Sequence, residues 1–470
     1  MPLVKSVLTV ILVTVVTLSQ AEAYGSFLSH ACLTTAEEEV LGREFMRYVK
    51  RRCTIIDDPS ITGYVTKVGQ QIVEQHSSPP FRFRFYVVKE DIYNAFAAPA
   101  GHVFIYTGLL AAMENEEELA GILAHEIAHV LCRHISERID RSKKIGLATL
   151  AGVLTGVFLG GSPTVTGAIT TGSIAAGESL SLSYSRENEM EADQVGLKYL
   201  TKAGYGGEGL LRILHKIREK NWFGSKQIPS YLMTHPAIVA RMGYLDTWIQ
   251  AHPGWRKSRR HIDRTDFQKM RIRVIALYGD TMSAHNFFDA QLRKSRDDAL
   301  VYYGKGLLFD REAKRTEALK NFKQAVELRP FDTDILRDLG KTYFHMGKYG
   351  KAQKTLSEVV SANSKDVEAH FLLGRVQMET GDLNGALETF RALEKKKANY
   401  LPAIYYLAQT YGKLGKLSEA HYGLGIYYKQ KGQFKIARFH LERALGLFAD
   451  NPARQREINK MLKDLPQDGN

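Results

Sequence analysis

The chain has 470 residues, of which 44% are apolar and 24% are charged. A chain of this length and composition can build two or three hydrophobic cores, and a largely disordered protein is excluded. Lysine and arginine outnumber aspartate and glutamate by 64 to 51, which gives a formal net charge of +13. This excess favours a solvated basic face over an anionic membrane surface or an acidic partner. Since no nucleic-acid-binding motif accompanies it, we expect no nucleic-acid partner.

The N-terminus has the pattern of a secretory signal. Lys5 precedes a mainly apolar run over residues 6–18, and Ala21-Glu22-Ala23 is a small-x-small cleavage pattern. The apolar run is too short for a comfortable transmembrane span. We therefore predict a signal peptide over residues 1–23 that is cleaved after Ala23, and export to the periplasm.

Two helices and a small sheet are predicted next. Apolar residues recur at helical spacing from Glu37 to Arg52 and again from Ile61 to Val73. The run from Phe81 to Val88 alternates with the period of a strand, the segment from Asn94 to Gly101 is turn-rich, and the segment from His102 to Tyr106 is a second strand.

The second strand could bind substrate. If it lies at the edge of the sheet, it can pair with an extended polypeptide by strand addition. An internal strand with no free edge is an equally good interpretation of the same residues. The predicted substrate edge consists of Val103, Phe104, Ile105 and Tyr106.

The run His125-Glu126-Ile127-Ala128-His129 has the H-E-x-x-H pattern of a zinc peptidase. On a helix, the two imidazoles lie one turn apart on one face, where both can reach a single metal ion. Glu126 lies beside them without being a ligand, and it can take a proton from a water whose pKa zinc lowers. We expect one Zn²⁺ per chain.

The residues around this motif indicate a buried helix. Asn115 is a good N-cap, and Glu118 stands three residues later in capping-box register. Cys132 follows on the same helix, about 10 Å along the axis from His125. It is therefore too far from His125 to share one zinc ion, and we predict that it belongs to the core.

The segment from Ile145 to Gly161 is apolar, and residues 162–182 are low in charge. A membrane span is one interpretation, but glycines and threonines interrupt the segment and it is shorter than the roughly 20 residues that a span needs. A flap, or a helix pair near the cleft or a membrane surface, is the preferred interpretation. Peripheral membrane contact is therefore one predicted partner interaction.

A second helix, which opens at Ser185, offers acidic residues for a third zinc ligand. A catalytic zinc site has three protein ligands and one open position. Glu189 is the natural donor, although composition alone does not choose it over Glu187 or Glu191. Asp193 lies one turn further on the same face, where it can accept the distal N–H of a ligand histidine.

A family resemblance chooses among these acids. The H-E-x-x-H motif, the later S-R-x-x-E-x-x-A-D at 185–193 and the upstream N-A-F-A-x-P-x-G at 94–101 resemble the gluzincin family of HtpX, Oma and the CAAX prenyl proteases. The resemblance covers roughly residues 36–250. It implies the following roles: His125, His129 and Glu189 as metal ligands, Glu126 as the general base, and Asp193 as an acid behind the ligands.

The same resemblance assigns a further pair of residues. His235-Pro236 followed by Arg241 matches the family's H-P-x-x-x-x-R. It implies that His235 and Arg241 lie at the cleft and take part in catalysis, where they stabilise the oxyanion. Alternatively, His235 occupies the open position of zinc in a latent state, as a fourth ligand.

The C-terminal part of the chain is repetitive. Gly306, Gly340 and Gly374 recur at a spacing of about 34 residues, which is the tetratricopeptide length. Gly432 repeats Gly415 at half that spacing, so one helix is predicted to serve two repeats. Such an array presents a concave groove for peptides or partner proteins.

The predicted fold is mainly α, with an α+β gluzincin protease domain that contains a small β-sheet, followed by an all-α tetratricopeptide superhelix. The predicted parts are a signal peptide at 1–23, a zinc metallopeptidase domain at 24–260, a helical connector at 261–295 and a tetratricopeptide repeat domain at 296–465. This architecture resembles the periplasmic BepA proteases of Gram-negative bacteria.

The resemblance implies a zinc-dependent endopeptidase that degrades misfolded or stalled envelope proteins. It also implies that the repeat groove binds the machinery that assembles outer-membrane β-barrels. One alternative is a tetratricopeptide chaperone or scaffold with a latent metal site. Another is an inner-membrane quality-control protease anchored by an uncleaved signal and the region after Ile145.

Overall fold

A computed structural model describes residues 33–140, 184–222, 230–255 and 264–466. It divides into two compact units between Asp280 and Thr281. The predicted signal peptide and the apolar segment that begins at Ile145 lie outside the described residues. Within the ranges given above, no helix is both long and apolar enough to cross a bilayer.

The first unit is an α+β domain, as predicted, with helices around one small sheet. Its strands are β1 (Arg84–Val88), β2 (Ala95–Ala98) and β3 (His102–Tyr106). Its helices in chain order are α1 (Thr35–Arg52), α2 (Pro59–Val73), α3 (Thr107–Ala112), α4 (Glu116–Leu131), α5 (His134–Asp140), α6 (Arg186–Lys202), α7 (Glu208–Trp222), α8 (Ser230–Thr234), α9 (Ile238–Ala251) and α10 (Arg264–Tyr278).

Strand β3 is the central strand of the sheet, whose order is β1-β3-β2. It pairs in parallel with β1 and antiparallel with β2, and all of its residues are buried. The prediction that Val103, Phe104, Ile105 and Tyr106 form an edge for substrate is therefore wrong, because both sides of β3 are already hydrogen-bonded. The segment 94–101, predicted as turns, contributes strand β2.

Strand β2 is an outer strand of this sheet. The backbone N–H of Tyr106 donates to the carbonyl of Asn94 at 3.1 Å. In the alternating pattern of an antiparallel pair, this bond directs the backbone groups of Ala95 and Ala97 away from β3. The outer side of β1 is partly covered by a bridge from Ile55. No described strand pairs with the outer side of β2, although all four of its residues are buried.

Helix α4 runs through the core and packs against α2, α6, α7 and β2. The side chain of Asn115 caps it by accepting a hydrogen bond from the N–H of Glu118 at 3.1 Å. In a full capping box, the Glu118 carboxylate would also accept from the backbone N–H of Asn115. Here it accepts from the N–H of the preceding residue, Glu114, at 3.0 Å. Every residue from Leu119 to Val130 is buried, as the apolar pattern predicted.

Helix α6 approaches α4 closely at Gly196. A Cβ atom at this position would lie 3.1 Å from the carbonyl oxygen of Ala124, which is tighter than ordinary van der Waals contact. Glycine therefore permits the close packing of the two helices. Because α6 packs along α4, its acidic first half lies beside the histidines of α4.

Part of the predicted connector 261–295 belongs to the first unit. Helix α10 packs on α2 and α3, and Phe267 and Met270 join the core. The Arg273 guanidinium donates to Oδ2 of Asp58 at 2.7 Å, while Oδ1 of Asp58 caps the start of α2. The rest of the predicted connector begins the second unit.

The second unit is a stack of antiparallel helix pairs, which confirms the predicted all-α repeat domain. Its helices in chain order are α11 (Thr281–Lys294), α12 (Ala299–Arg311), α13 (Arg315–Leu328), α14 (Thr333–His345), α15 (Tyr349–Ala362), α16 (Val367–Glu379), α17 (Leu383–Lys396), α18 (Leu401–Lys413), α19 (Leu417–Gln430), α20 (Phe434–Leu447) and α21 (Pro452–Lys463).

Candidate metallopeptidase site

Helix α4 presents His125 and His129 on one face, one turn apart. Their Nε2 atoms lie 3.1 Å from each other, and both side chains are fully buried. The predicted helical geometry of the H-E-x-x-H motif is therefore present. The two rings are nearly perpendicular, at 89°, so that both nitrogens point toward one position.

Helix α6 adds Glu189. The side chain of Ser185 caps this helix by accepting from the N–H of Asn188 at 3.1 Å. One turn later, the Glu189 carboxylate lies between the two histidines: Oε1 is 3.4 Å from Nε2 of His129, and Oε2 is 3.5 Å from Nε2 of His125. Glu189 itself is fully buried.

His235 completes the group from the end of α8. Its Nδ1 atom lies 3.0 Å from Oε1 of Glu189 and 3.3 Å from Nε2 of His125. One donor atom from each of His125, His129, Glu189 and His235 lies within 4.8 Å of all the others.

The spacing of these donors fits a tetrahedral cation. Ligands at about 2.1 Å from a tetrahedral metal ion are separated from one another by about 3.4 Å. Five of the six closest separations among the four side chains range from 3.0 Å, between His235 and Glu189, to 3.5 Å, between His125 and Glu189, and one donor atom of each side chain lies within 4.8 Å of all the others. Two or three imidazoles with one carboxylate are donors that zinc accepts.

Glu126 lies next to this group and is itself fully buried. Neither of its carboxylate oxygens has a hydrogen-bond partner among the described residues, and the nearest basic atom is Nε2 of His235 at 3.5 Å. A buried carboxylate without a partner is costly. Its position beside the donors is that of a general base, which needs free oxygens to accept a proton.

Asp193 and Arg241 support the donors from behind. Oδ1 of Asp193 lies 2.9 Å from Nδ1 of His125, which fixes the orientation of that ring as predicted. Arg241 donates from Nε and Nη2 to the two oxygens of Asp193, each at 2.8 Å, and from Nη1 to Oε2 of Glu189 at 2.5 Å. These contacts use three of the five guanidinium N–H groups, and the oxyanion role of Arg241 stays a prediction.

Burial and ion pairs shift the pKa values of the donors in different directions, and burial holds the pKa of His129 well below its ordinary value. Burial opposes ionisation, yet His235 and Arg241 hold the pKa of Glu189 well below its ordinary value. Burial and Arg241 act to lower the pKa of His125, but Asp193 and Glu189 outweigh them and raise that pKa to about 9. A cation held by the donors would satisfy the same carboxylates.

Three side chains at the site were not predicted from the sequence. Nδ1 of His134 lies 2.9 Å from Nδ1 of His129. The ring of Tyr184 stacks on His129 with centroids 3.8 Å apart, and the ring of Tyr231 stacks on His235 at 4.3 Å. Two of these residues are near a predicted ligand in the sequence, since Tyr231 lies one turn before His235 and His134 lies five residues after His129, whereas Tyr184 is distant from His129.

The first unit is an α+β domain that holds a buried group of metal donors with the Glu126 carboxylate beside it, and these features define a metallopeptidase domain. The stacked helix pairs that follow define a helical repeat domain. Residues 59–249 match the model of "Peptidase family M48". "Tetratricopeptide repeat" models match 299–332, 337–400 and 418–451. The chain therefore contains a metallopeptidase domain of family M48 and tetratricopeptide repeats.

Named relatives match parts of this chain. The chain is 30% identical over 250 residues to the "Beta-barrel assembly-enhancing protease" of Yersinia pestis, which covers 53% of this chain and 50% of that protein. It is 29% identical over 211 residues to the protein of the same name from Escherichia coli (strain K12), covering 45% and 43%. It is 27% identical over 189 residues to "Mitochondrial metalloendopeptidase OMA1" of Schizosaccharomyces pombe, covering 40% and 53%. The chain thus spans about half the length of the curated relatives it matches.

Proposed function

We propose that this protein is a zinc-dependent endopeptidase that degrades misfolded or stalled envelope proteins and assists the assembly of outer-membrane β-barrels. One observation carries the proposal. The donor atoms of His125, His129 and Glu189 converge on one position, and the free carboxylate of Glu126 lies beside it. The membership of residues 59–249 in family M48 supports the same chemistry.

In this mechanism, His125, His129 and Glu189 hold one Zn²⁺. When bound, zinc polarises the scissile carbonyl and lowers the pKa of the attacking water. Glu126 accepts the proton of that water and then passes it to the leaving amine. Asp193 keeps the hydrogen of His125 on Nδ1, so that Nε2 stays available as a ligand.

The buried position of the site supports a latent resting state. His125, Glu126, His129, Glu189 and His235 are all fully buried, so a polypeptide reaches them only after a movement of the surrounding chain. Nδ1 of His235 lies among the other donors, where it fills the position that a substrate carbonyl needs. Activation then requires His235 to leave this position.

Substrate binding is proposed at the outer strand β2. The backbone groups of Ala95 and Ala97 that point away from β3 can pair with an extended polypeptide. Helix α4 packs against β2, so a peptide on this strand would run close to the histidines. A movement that uncovers the site would also have to uncover these residues, which are buried.

The repeat domain is proposed to bind the assembly machinery or its substrates. Stacked tetratricopeptide pairs form concave surfaces that bind peptides and proteins. Two of the relatives are named as β-barrel assembly-enhancing proteases, which supports the same role here. Action in the periplasm rests on the predicted signal peptide, and peripheral contact with a membrane remains part of the proposal.

The decisive experiment compares purified wild-type protein with the Glu126→Gln variant. We expect the variant to retain one zinc ion per chain, measured by metal analysis, and to lose the cleavage of casein. Glu44→Gln, a change at a half-buried residue of α1 that contacts none of the donors, is the matched control and should cleave normally. Proteolysis that persists in Glu126→Gln with zinc bound would remove Glu126 from the proposed role.

The sealed site also favours a second candidate, a chaperone or scaffold in which the repeats act while the metal centre stays closed. Complementation of a deletion strain separates the two functions. If Glu126→Gln restores β-barrel assembly as fully as wild type, the scaffold explains the phenotype. If it restores nothing while it accumulates to wild-type levels, proteolysis is required.

A further inference from the structure

A second group of metal-binding side chains lies on the outer side of the histidine pair. Cys132, His134 and Glu191 each offer one ligand atom, and these three atoms lie within 4.8 Å of one another. Cys132 ends α4, His134 begins α5, and Glu191 lies on α6 between Glu189 and Asp193. The group thus shares α4 and α6 with the peptidase site and adds α5, without using the ligands of that site.

The three side chains form a graded path from solvent to the interior. Glu191 is 59% exposed, Cys132 is half-buried, and His134 is 2% exposed. Nε2 of His134 already lies 3.2 Å from Oε2 of Glu191. A cation can approach along the exposed carboxylate of Glu191, which lies within 4.8 Å of the ligand atoms of Cys132 and His134.

The geometry points to a second cation site, in which Cys132, His134 and Glu191 bind a thiophilic divalent cation such as Zn²⁺ and thereby oppose metal binding at the inner site. A set of one thiolate, one imidazole and one carboxylate leaves a fourth position for water, and the sulfur selects soft cations over Mg²⁺ or Ca²⁺. Burial and Glu191 raise the pKa of the Cys132 thiol to about 12. Binding therefore releases the thiol proton to solvent.

The opposition between the sites follows from hydrogen positions on two rings. To bind the inner cation through Nε2, a neutral His129 must carry its hydrogen on Nδ1, and this hydrogen points at Nδ1 of His134, 2.9 Å away. His134 must then keep its own hydrogen on Nε2, where it faces Glu191. This is the arrangement with only the inner site filled.

A cation on Nε2 of His134 displaces that hydrogen to Nδ1 of the same ring. Two Nδ1–H groups would then face each other across 2.9 Å. The contact is relieved if His129 carries its hydrogen on Nε2, but that nitrogen is the one the inner cation requires. Each ring keeps one hydrogen throughout, so the only proton released is the thiol proton of Cys132.

The two sites are therefore negatively coupled through His129 and His134. Coupling between sites is reciprocal, so filling the inner site weakens the outer site by the same factor. Zinc would serve as cofactor at low concentration and as inhibitor in excess. The coupling rests on the proposed role of His129, whereas the outer site itself does not.

The test is titration of chelator-stripped protein with Co²⁺ under a non-thiol reductant, because a thiolate ligand gives cobalt a charge-transfer absorption that imidazole and carboxylate do not. In wild type, we expect this absorption to develop with the second equivalent of cation. Cys132→Ser should abolish the absorption and retain the first equivalent. Cys53→Ser removes the other described free cysteine and should leave the titration unchanged.

The coupling is measured in the double variant His125→Ala/His235→Ala, which leaves only His129 and Glu189 of the four inner donors. We expect the thiolate absorption of this variant to appear at a cobalt concentration that is lower than in wild type by a factor of about five or more. Absence of the absorption in wild type, or its persistence in Cys132→Ser, would overturn the outer site. Equal outer-site affinity in the double variant and wild type would overturn the coupling. Thiolate absorption without casein cleavage would support the outer site while it counts against the proposed function.

Discussion

The guanidinium of Arg241 binds both oxygens of Asp193, with Nε donating to Oδ2 and Nη2 to Oδ1, each at 2.8 Å. Both side chains are almost completely buried. Asp193 in turn orients His125, and Arg241 also binds Glu189. A residue contributed by α9 therefore fixes a histidine of α4 and an acid of α6, which makes Arg241 a positioning residue for the donors.

Replacement of Arg241 by alanine should strongly destabilise the first unit. Two buried carboxylates, Glu189 and Asp193, would lose their positive partner, and breaking a buried pair in this way costs about 3–5 kcal/mol. Urea denaturation measures the change. Arg47→Ala is the control, because its pair with Glu44 is exposed and is worth about 1 kcal/mol or less. Equal losses in the two variants would contradict the buried network.

Replacement of Asp193 by asparagine should weaken metal binding. The amide is uncharged and supports the His125 ring less strongly, and loss of such a partner lowers metal affinity about 10–100-fold. Competition with a chromogenic chelator measures the affinity. The exposed change Asp246→Asn on α9 should leave it unchanged. An unaltered affinity in Asp193→Asn would show that the His125 ring is fixed by other groups.

Replacement of His235 by alanine should raise the rate of casein cleavage. Its Nδ1 lies among the donors, and three candidate ligands remain without it. If the open form is about 10% populated or less, its release gives a rise of about ten-fold or more. Casein digestion measures the rate, and metal analysis should show zinc retained. A lower rate would instead assign His235 to the transition state, and an unchanged rate would discard both roles.

In the repeats, Gly340→Ala and Gly350→Ala should have opposite effects on stability. A Cβ at Gly340 would lie 2.8 Å from Cγ of Leu356, so α14 and α15 would be forced apart at a cost of about 1–3 kcal/mol. A Cβ at Gly350 meets no atom within 4 Å, and alanine there should stabilise the helix by about 0.5–1 kcal/mol. Thermal unfolding of the two variants checks the sign, and destabilisation by Gly350→Ala would contradict it.

The sequence was most informative where its signals are local. The cap at Asn115, the buried stripe of α4 and the spacing of His125 and His129 depend on residues within a few turns, and the structure contains all of them. The assignment of Glu189 came from the family resemblance, because neighbouring acids on α6 have equal propensities. Close packing at Gly196 then brings that acid to the histidines.

The sequence was least informative where distant segments pair. Nothing local distinguishes a central strand from an edge strand, so the position of β3 depended on the pairing of the alanine-rich segment 95–98, whose composition suggested turns. The contact of His134 with His129 and Glu191 likewise depends on the left-handed turn at Arg133 and on helix packing. Cys132 is not among the four inner donors, but it is half-buried rather than part of the predicted core, and it lies beside His134 and Glu191.

The half-repeat slip at α19 has a consequence for how this array can change in length. The repeat matched at 418–451 begins on α19, although α19 also closes the pair begun by α18. A unit that belongs to two neighbours at once cannot be duplicated or excised with either of them. Insertions or deletions of whole helix pairs are therefore compatible with the solenoid before Leu401. Any insertion or deletion that separates α18, α19 and α20 would leave an apolar helix face without a packing partner.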